Sequence, residues 1–372
     1  MSNINNFGMF NKRARLILED GAVFQGFSFG GNASVSGEVV FNTAMGGYPE
    51  SLTDPSYNGQ ILVLTFPMLG NYGIPSMAPE EGGLSRFLES PKIHIRALVV
   101  TDYTHGYSHY NAAISLGEWL KEYNIPAVYG VDTRQITKII RVRGAMSGKI
   151  VVEGCREPET FDKPLLRNLV KEVSCQETKI YGNGKIKIVL VDCGCKHNII
   201  RCLVERGAKV ISVPWDYDFT TIDYDGLFIS NGPGDPLMCQ TTVANIRKGI
   251  AIGKPIFGIC LGNQLLSLAA GAKTYKMTYG HRSHNQPVIE VGTNRAVITS
   301  QNHGYAVDTA TLGKEWEPAY INLNDGTNEG IRHKSKPFFS VQFHPEAAGG
   351  PTDTEYLFDK FLDLCKKVKL SV

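Results

Sequence analysis

Residues 186–271 alternate between strand-like and helix-like segments. Apolar runs such as IKIVLVDCG and PIFGICLG are each followed by a segment with helical periodicity, and short glycine turns lie between them. This alternation is typical of a parallel sheet that is covered by helices on both faces. Ligands of such sheets bind beyond the carboxyl ends of the strands. The turns that follow residues 230, 260 and 343 are therefore expected to lie along one rim of the sheet.

The first half of the chain has a different pattern. Residues 14–41 contain strand-like runs that are broken by glycines, and helical periodicity occurs over 114–125 and 131–144. The composition then changes and becomes richer in polar residues. The predicted fold class is α/β, in three parts: a smaller, mixed, β-rich α/β domain at residues 1–153, a linker at 154–185, and a mostly parallel sheet with helices on both faces at 186–372.

Charge and hydropathy argue against two classes of partner. The chain has 372 residues, and its 38 Lys and Arg nearly balance its 36 Asp and Glu, which leaves a net charge of +2. This balance indicates neither a nucleic acid nor an anionic membrane as a partner. No apolar run approaches the length that a membrane-spanning helix requires.

The cysteines and the N-terminus bear on the compartment. Eight cysteines at irregular spacing, without a secretory signal, indicate reduced thiols and a cytoplasmic location. Cys193 and Cys195 form a C-x-C pair without a second pair, which favours a structural role over a metal site. Lys12, Arg13 and Arg15 precede the first acidic residue. They leave a mitochondrial presequence as the weaker alternative to a solvated tail.

Cys260 lies where a strand-like run meets a helix-like segment, between Gly258 and Gly262. The order strand, G-x-C-x-G, helix is that of the nucleophile elbow of serine hydrolases, with sulfur in place of oxygen. So sharp a turn leaves no room for flanking side chains, and the N–H groups at a helix start favour the reactive thiolate. A buried structural cysteine is the alternative. Gln264, one turn further on, is expected to face the same site.

A cysteine nucleophile requires a base and a group that orients the base. His344 follows an apolar run in FFSVQFHPE and so is expected at the same rim, and Glu346 returns two residues later. A carboxylate this close can hold the imidazole in one tautomer and stabilise its charged form. By itself, the pair is as typical of a surface histidine with a nearby acid as of a catalytic pair. Together with the elbow, it favours catalysis.

Acyl transfer also requires N–H donors for a developing oxyanion. The backbone N–H of Leu261, directly after the nucleophile, is one candidate. The motif NGPGDP at residues 231–236 follows another strand-like run, and the N–H of Gly232 is a second candidate. A plain tight turn is the alternative interpretation of NGPGDP.

Four motifs in this order, NGPGDP, GICLGNQ, QNHGYA and QFHPE, resemble those of the class I glutamine amidotransferases. In addition, GEVVFNTAMGGYPESLTDPSYNGQIL, GVDTRQITKIIR and GAKTYKM resemble the small, glutamine-hydrolysing subunit of carbamoyl phosphate synthetase, or the equivalent fused domain. The resemblance covers roughly residues 14–365. NGPGDP and QFHPE are shared with other class I amidotransferases, whereas the N-terminal motifs are specific to this enzyme.

The resemblance implies a role for each matching residue. Cys260 attacks the side-chain amide of glutamine, His344 transfers the proton, Glu346 orients His344, and a glutamyl thioester is formed. The oxyanion donors and the residues that hold glutamine are implied to be Ser56, Gly232, Gly234, Leu261, Gln264, Asn302, Gly304 and Tyr305.

The resemblance also implies a partner. Ammonia released from L-glutamine passes through a buried channel to a synthetase large subunit or fused synthetase domain, which uses ATP, bicarbonate and a divalent metal. No cofactor is expected on this chain, which has no phosphate loop of the G-x-x-x-x-G-K-[ST] type.

Two positions depart from the family pattern, and three alternatives remain. Asn263 stands where many relatives have His, and Tyr305 where Phe is frequent; neither change is expected to remove the chemistry. The alternatives are an amidotransferase for another synthesis, a non-catalytic regulator of a synthetase, and a thiol hydrolase of the α/β-hydrolase type. The N-terminal domain argues against the first, the intact Cys260–His344–Glu346 set against the second, and the acid that follows the histidine against the third.

Overall fold

The computed structural model describes residues 12–79 and 82–370. Most of the predicted N-terminal tail therefore lies outside the described residues, and so does any presequence before residue 12. Arg13 and Arg15 do not belong to a tail, because they lie in the first strand. Among the described residues, no helix combines the length and the apolar character needed to cross a membrane.

The N-terminal part is built around a closed seven-stranded barrel. Its elements are β1 (Arg13–Leu18), β2 (Val23–Ser28), β3 (Val35–Asn42), α1 (Tyr48–Thr53), β4 (Gln60–Leu64), β5 (Ile74–Pro75), β6 (Ala97–Val100), β7 (Ala112–Ile114), α2 (Leu116–Glu122), β8 (Ala127–Tyr129), α3 (Thr133–Arg143) and β9 (Met146–Val152). The barrel order is β1-β2-β8-β6-β4-β3-β9, and β5 pairs with β7 outside it.

Alternation of side chains fills the barrel. In β1, Ala14, Leu16 and Leu18 are buried while Arg13 and Arg15 are exposed, which is the period of two expected for a strand with one face in a core. Inward-facing residues from β3, β4, β6, β8 and β9 belong to the same cluster. The sequence predicted the β-rich class of this part but not the closure of its sheet.

The helix predicted at 131–144 is confirmed as α3. The side chain of Asp132 accepts a hydrogen bond from the N–H of Gln135 at 2.8 Å, and Gly144 ends the helix with φ 89°. Such a cap satisfies one of the N–H groups that a helix start leaves free.

The range predicted as a linker contains regular structure. It contains α4 (Leu169–Val173) and β10 (Lys179–Tyr181), in addition to a short 3-10 helix at Pro164–Leu166. Strand β10 pairs with a strand of the C-terminal sheet, at Tyr181–Val210 and two further positions. The sheet therefore begins before residue 186. The short β10 gave no clear strand signal because two of its three residues are exposed.

The C-terminal part is a ten-stranded sheet with helices on both faces, so the predicted α/β class is confirmed. Its remaining elements are β11 (Ile186–Asp192), α5 (His197–Glu205), β12 (Ala208–Pro214), β13 (Gly226–Ile229), α6 (Gln240–Ile252), β14 (Ile256–Ile259), α7 (Leu261–Ala269), β15 (Lys273–Glu290), β16 (Ala296–Asp308), β17 (Trp316–Asn322), β18 (Asn328–His333), β19 (Phe338–Val341) and α8 (Tyr356–Leu370). The strand order is β10-β12-β11-β13-β14-β19-β18-β17-β15-β16.

The sheet is mixed rather than mostly parallel. Strands β12, β11, β13, β14 and β19 are parallel, whereas β10 and the block β18, β17, β15 and β16 pair in antiparallel fashion. The physical reason is the length of the connections. Few residues separate β15 from β16, β17 from β18 and β18 from β19, and connections this short can only join antiparallel neighbours.

Two cores cover the parallel block. Helices α5 and α8 pack on one face, where Ile188, Phe228 and Phe257 point. Helices α6 and α7 pack on the other face, against Val189 and Leu227. Because β13, β14 and β19 are neighbours that run in the same direction, the turns after residues 230, 260 and 343 lie along one rim, as predicted.

Candidate active site

Cys260 occupies a strained turn between β14 and α7. Its backbone has φ 54° and ψ −103°, a left-handed region that non-glycine residues rarely adopt. A Cβ atom on Gly258 would lie 2.6 Å from the carbonyl oxygen of Gly262, and one on Gly262 would lie 2.2 Å from the carbonyl oxygen of Ile229. The two flanking glycines are therefore required by close backbone contacts, as the elbow interpretation expected.

The sulfur of Cys260 faces the antiparallel block. The residue is 2% exposed, and its Sγ donates a hydrogen bond to the carbonyl oxygen of Asn302 at 3.6 Å. Leu261 is the first residue of α7, so its N–H is among those that the helix itself cannot satisfy. The positive end of the helix dipole lies at the same point and favours a thiolate.

His344 and Glu346 form the second half of the constellation. They follow β19, which is the parallel neighbour of β14. The Nδ1 atom of His344 lies 2.6 Å from Oε1 of Glu346, and both residues are buried. The other ring nitrogen, Nε2, is buried without a hydrogen-bond partner among the described residues. The Cys260 thiol is close enough to raise the pKa of the ring. This geometry leaves Nε2 free to exchange a proton with sulfur.

Electrostatics favour a charged histidine and an ionised carboxyl group. Burial lowers the pKa of His344, but the charge of Glu346 and the Cys260 thiol outweigh it and raise this pKa to about 10. Burial raises the pKa of Glu346, but Lys196 and His344 outweigh it and lower this pKa to about 2. An imidazolium held against a carboxylate is the form that stabilises a neighbouring thiolate.

Lys196 is a functional residue that the sequence reasoning missed. Its buried Nζ lies 3.0 Å from Oε1 of Glu346, donates to the carbonyl oxygen of Ala347 at 3.0 Å, and lies 3.8 Å from Oε2 of Glu89. Glu89 belongs to the N-terminal part and pairs with Arg201 of α5 at 2.9 Å. A signal was present, since Lys196 lies in the turn from β11 to α5, at the carboxyl end of a parallel strand and so at the same rim.

A cavity opens beside Cys260. The structure brings seven of the eight implied binding residues to its wall. These are Ser56, Gly232, Gly234, Gln264, Asn302, Gly304 and Tyr305. The eighth, Leu261, does not line the cavity, and its side chain packs in the core between α7 and the sheet. Only its backbone is in position to act at the site.

Hydrogen bonds fix the polar side chains of this wall. Gln264 donates to the carbonyl oxygen of Tyr305 at 3.0 Å, and Asn302 donates to Asp54 Oδ2 at 3.0 Å. Ser56 Oγ accepts from Asn231 Nδ2 at 2.9 Å. Since Asp54 and Ser56 come from the N-terminal part, both parts of the chain build the pocket.

The two departures from the family pattern are accommodated differently. Asn263 is fully buried behind the elbow, where its amide donates to Gln342 at 3.1 Å and accepts from Ser340 at 2.8 Å. It does not reach the triad. Tyr305 lies at the pocket wall, where burial and the charge of Asp235 raise the pKa of its hydroxyl, so the hydroxyl stays neutral and polar there.

One group of described residues has the donor atoms of a metal site. Ligand atoms of His281, His303 and Glu329 lie within 4.8 Å of one another, and all three residues are buried. The amide nitrogen of Asn322 donates to Glu329 Oε1 at 3.1 Å, and its Oδ1 accepts from the N–H of Asn324, which fixes the direction of the amide. A donor aimed at the shared carboxylate oxygen favours a hydrogen-bonded cluster over a cation. Cys193 and Cys195 are free and buried.

Two family models match the chain. Residues 16–150 match the carbamoyl-phosphate synthase small chain, CPSase domain, and residues 189–364 match the class-I glutamine amidotransferases. The chain thus carries a carbamoyl-phosphate synthase small-chain domain followed by a class-I glutamine amidotransferase domain. The resemblance inferred from the motifs is thereby confirmed, and both matched ranges fall inside the parts that the fold separates.

Curated relatives are similar over most of the chain. The multifunctional protein CAD of Squalus acanthias is 56% identical over 363 residues, which are 96% of this chain and 16% of that protein. The mitochondrial carbamoyl-phosphate synthase [ammonia] of Homo sapiens is 53% identical over 360 residues, which are 96% of this chain and 24% of that protein. The chain thus spans less than a quarter of the length of these relatives.

A solved glutamine amidotransferase from Thermotoga maritima is 16% identical, with a TM-score of 0.37. The match covers 50% of this chain and 87% of that chain.

Proposed function

We propose that this chain hydrolyses L-glutamine and supplies ammonia to a synthetase that makes carbamoyl phosphate from bicarbonate and ATP. The observation that carries the proposal is the Cys260–His344–Glu346 constellation, which stands on two adjacent parallel strands beside a cavity built by both parts of the chain. The two family models that match the chain agree with this chemistry.

The first half-reaction forms a thioester. The thiolate of Cys260 attacks the side-chain amide carbon of glutamine, and the N–H groups of Leu261 and Gly232 stabilise the oxyanion. The C–N bond then breaks, and the imidazolium of His344 gives its proton to the leaving amine, so that ammonia departs and a glutamyl thioester remains.

The second half-reaction restores the enzyme. A water molecule attacks the thioester while neutral His344 takes its proton, the C–S bond breaks, and glutamate leaves. Glu346 holds Nδ1 throughout and stabilises the charged ring. Lys196 compensates the charge of buried Glu346, which would otherwise be costly in a site shielded from water.

We further propose that ammonia leaves on the far side of His344. A second cavity is lined by His344, Lys196, Asn302 and Glu50, and Glu50 also lines a third cavity that opens to the surface. Two exposed apolar side chains, Met45 at 75% and Tyr110 at 88% exposure, are sequence neighbours of residues that line the third cavity. An apolar rim around an exit is the surface that a synthetase subunit or fused domain would cover.

ATP and a divalent metal are assigned to that synthetase partner, and L-glutamine is the ligand assigned to this chain. A cytoplasmic location remains a prediction. The name of the human relative places that protein in mitochondria.

A second candidate is suggested by a relative whose name specifies ammonia. This second candidate function is that the chain binds a synthetase without hydrolysing glutamine. The strained Cys260 turn and the free Nε2 of His344 favour hydrolysis, because neither feature is needed for binding alone.

Substitution of Cys260 by Ser tests the proposal. Without the nucleophile, glutamine-dependent synthesis by a reconstituted complex should fall by at least about three orders of magnitude, while synthesis from added ammonium chloride continues. Cys155→Ser, at a partly exposed cysteine outside the site, is the matched control and should retain both activities. Undiminished glutamine hydrolysis by Cys260→Ser would sink the assignment. Stable association with a different synthetase would redirect the proposal to another amidotransferase.

A further inference from the structure

Arg282 lines the cavity beside Cys260, although no motif pointed to it. It lies on β15 directly opposite Asn302 of β16, and it is 7% exposed. Its guanidinium lies beside two glycines. A Cβ atom on Gly304 would be 3.2 Å from Nη2, and one on Gly280 would be 2.9 Å from Nη1. The missing side chains thus leave room for a planar cation at the pocket wall.

The contacts of Arg282 leave most of its donors unused. Nη1 donates to the carbonyl oxygen of Tyr279 at 2.6 Å, whereas Nε is buried without a hydrogen-bond partner among the described residues. Glu38 is the acidic side chain that lines the same cavity, but Lys276 Nζ lies 3.0 Å from its Oε1 and Gln60 donates to its Oε2 at 2.9 Å. No carboxylate of the described residues lies within 4.0 Å of the guanidinium.

A buried cation without a counter-ion is unfavourable unless something compensates it. Burial lowers the pKa of Arg282, yet a guanidinium in a protein stays protonated. Glu38, Tyr57 and Cys260 offset this effect of burial only in part, so an anion that enters the cavity would complete the compensation. A guanidinium presents its donors in a plane that matches both oxygens of a carboxylate.

We propose that Arg282 binds the α-carboxylate of the amino-acid substrate and makes the site select glutamine over amides that lack this group. The proposal rests on the proposed function, since glutamine supplies the carboxylate. It adds a specificity-determining residue to those that the family motifs identify. Arg282 does not touch the reacting amide, and its loss should therefore affect KM much more than kcat.

The test compares two substrates that differ only in the carboxylate, L-glutamine and 4-aminobutanamide. The wild-type protein, in complex with its synthetase partner, should prefer glutamine strongly in kcat/KM. Arg282→Met should lower kcat/KM for glutamine by on the order of 10- to 100-fold, as expected for a lost hydrogen-bonded charge. It should leave kcat/KM for 4-aminobutanamide within about twofold. Arg282→Lys should retain part of the preference.

Lys248→Met is the control, because this cation pairs with Asp218 at the surface and does not line the cavity. Its preference for glutamine should equal that of the wild type. If Arg282→Met lowers kcat/KM equally for both substrates, the preference for glutamine is unchanged. The proposal is then wrong and the residue is structural. A wild type that does not discriminate between the substrates overturns it as well, whether or not Arg282→Met folds.

Binding separates this proposal from the proposed function. In the Cys260→Ser background, titration calorimetry measures affinity for L-glutamine and 4-aminobutanamide without turnover. A preference for glutamine that Arg282→Met abolishes supports the carboxylate contact even if the wild type hydrolyses nothing. No preference in this background contradicts the contact even if hydrolysis is fast.

Discussion

At the scale of single residues, the triad depends on charges that flank it. Glu346 is shared between His344, at 2.6 Å, and Lys196, at 3.0 Å, and Glu89 lies behind Lys196. These four charges, with alternating sign, can be buried together because each is hydrogen-bonded or paired. This arrangement allows an imidazolium to persist in a site that would otherwise favour the neutral ring.

The stability of the protein should depend on pH through this pair. The pKa of His344 rises from 6.5 to about 10 on folding, so its contribution is complete below pH 6.5 and is lost as pH rises to about 10. The pKa of Glu346 falls from 4.5 to about 2, so its contribution is complete above pH 4.5 and is lost as pH falls to about 2. The free energy of unfolding of wild type minus that of His344→Asn should therefore be largest between about pH 4.5 and 6.5.

Buried His94 provides a control with the opposite sign. Burial lowers its pKa to about 3, so its contribution is complete above pH 6.5 and falls as pH decreases. Chemical denaturation of the wild type, His344→Asn and His94→Asn from pH 4 to pH 9 measures how each difference in unfolding free energy changes with pH. A difference for His344→Asn that does not change with pH would contradict the assigned ion pair.

At the scale of elements, the elbow is a contact between backbones. Helix α7 begins at Leu261, and its first turn lies so close to β13 that position 262 has no space for a Cβ atom. The parallel strand β19 then brings His344 alongside, because Ile259 and Val341 are register partners. Strand register, rather than sequence proximity, sets the distance between nucleophile and base.

Gly262→Ala should disrupt this packing. The added methyl group would meet the carbonyl oxygen of Ile229 at 2.2 Å, so α7 or β13 must shift, at a cost of about 1–3 kcal/mol in unfolding free energy. A shift of the elbow should also lower kcat for glutamine by at least about tenfold. Gly106→Ala, where an added Cβ meets nothing within 4 Å, is the control and should change neither quantity. Wild-type kcat in Gly262→Ala would refute the required close contact.

At the scale of the whole molecule, the N-terminal part contributes residues to the pocket and to the group of buried charges around Lys196. Ser56 lines the cavity beside Cys260, Asp54 accepts a hydrogen bond from Asn302 of its wall, and Glu89 lies 3.8 Å from Lys196. The N-terminal part also carries exposed Met45 and Tyr110, next in sequence to residues that line the third cavity. Its position links the hydrolytic site to the surface that we assign to the synthetase.

A negative charge placed at Met45 or Tyr110 should weaken binding of the synthetase partner. Met45→Asp and Tyr110→Asp should each reduce binding of the synthetase by about tenfold or more, because burying an unpaired carboxylate is costly. They should also lower glutamine-dependent synthesis relative to synthesis from ammonium chloride. Leu166→Asp, at an equally exposed position of 77%, is the control. Unchanged affinity in both rim variants would place the partner elsewhere.

The sequence alone was sufficient for the local features. It predicted the α/β class, the shared rim, the capped α3 and the nucleophile elbow, because periodicity, caps and glycine spacing are local properties of the chain. It also placed His344 and Glu346 correctly at the rim. Barrel closure, the antiparallel block and strand β10 depend on pairings between distant segments, which no local pattern encodes.

Tertiary structure decided which charged residues matter. Lys196 and Arg282 are ordinary cations in the sequence, and both become exceptional only because folding removes them from water. Lys196 then meets Glu346 and Glu89, whereas Arg282 meets no carboxylate of the described residues. Burial makes a missing partner costly, and burial is a property of the assembled fold.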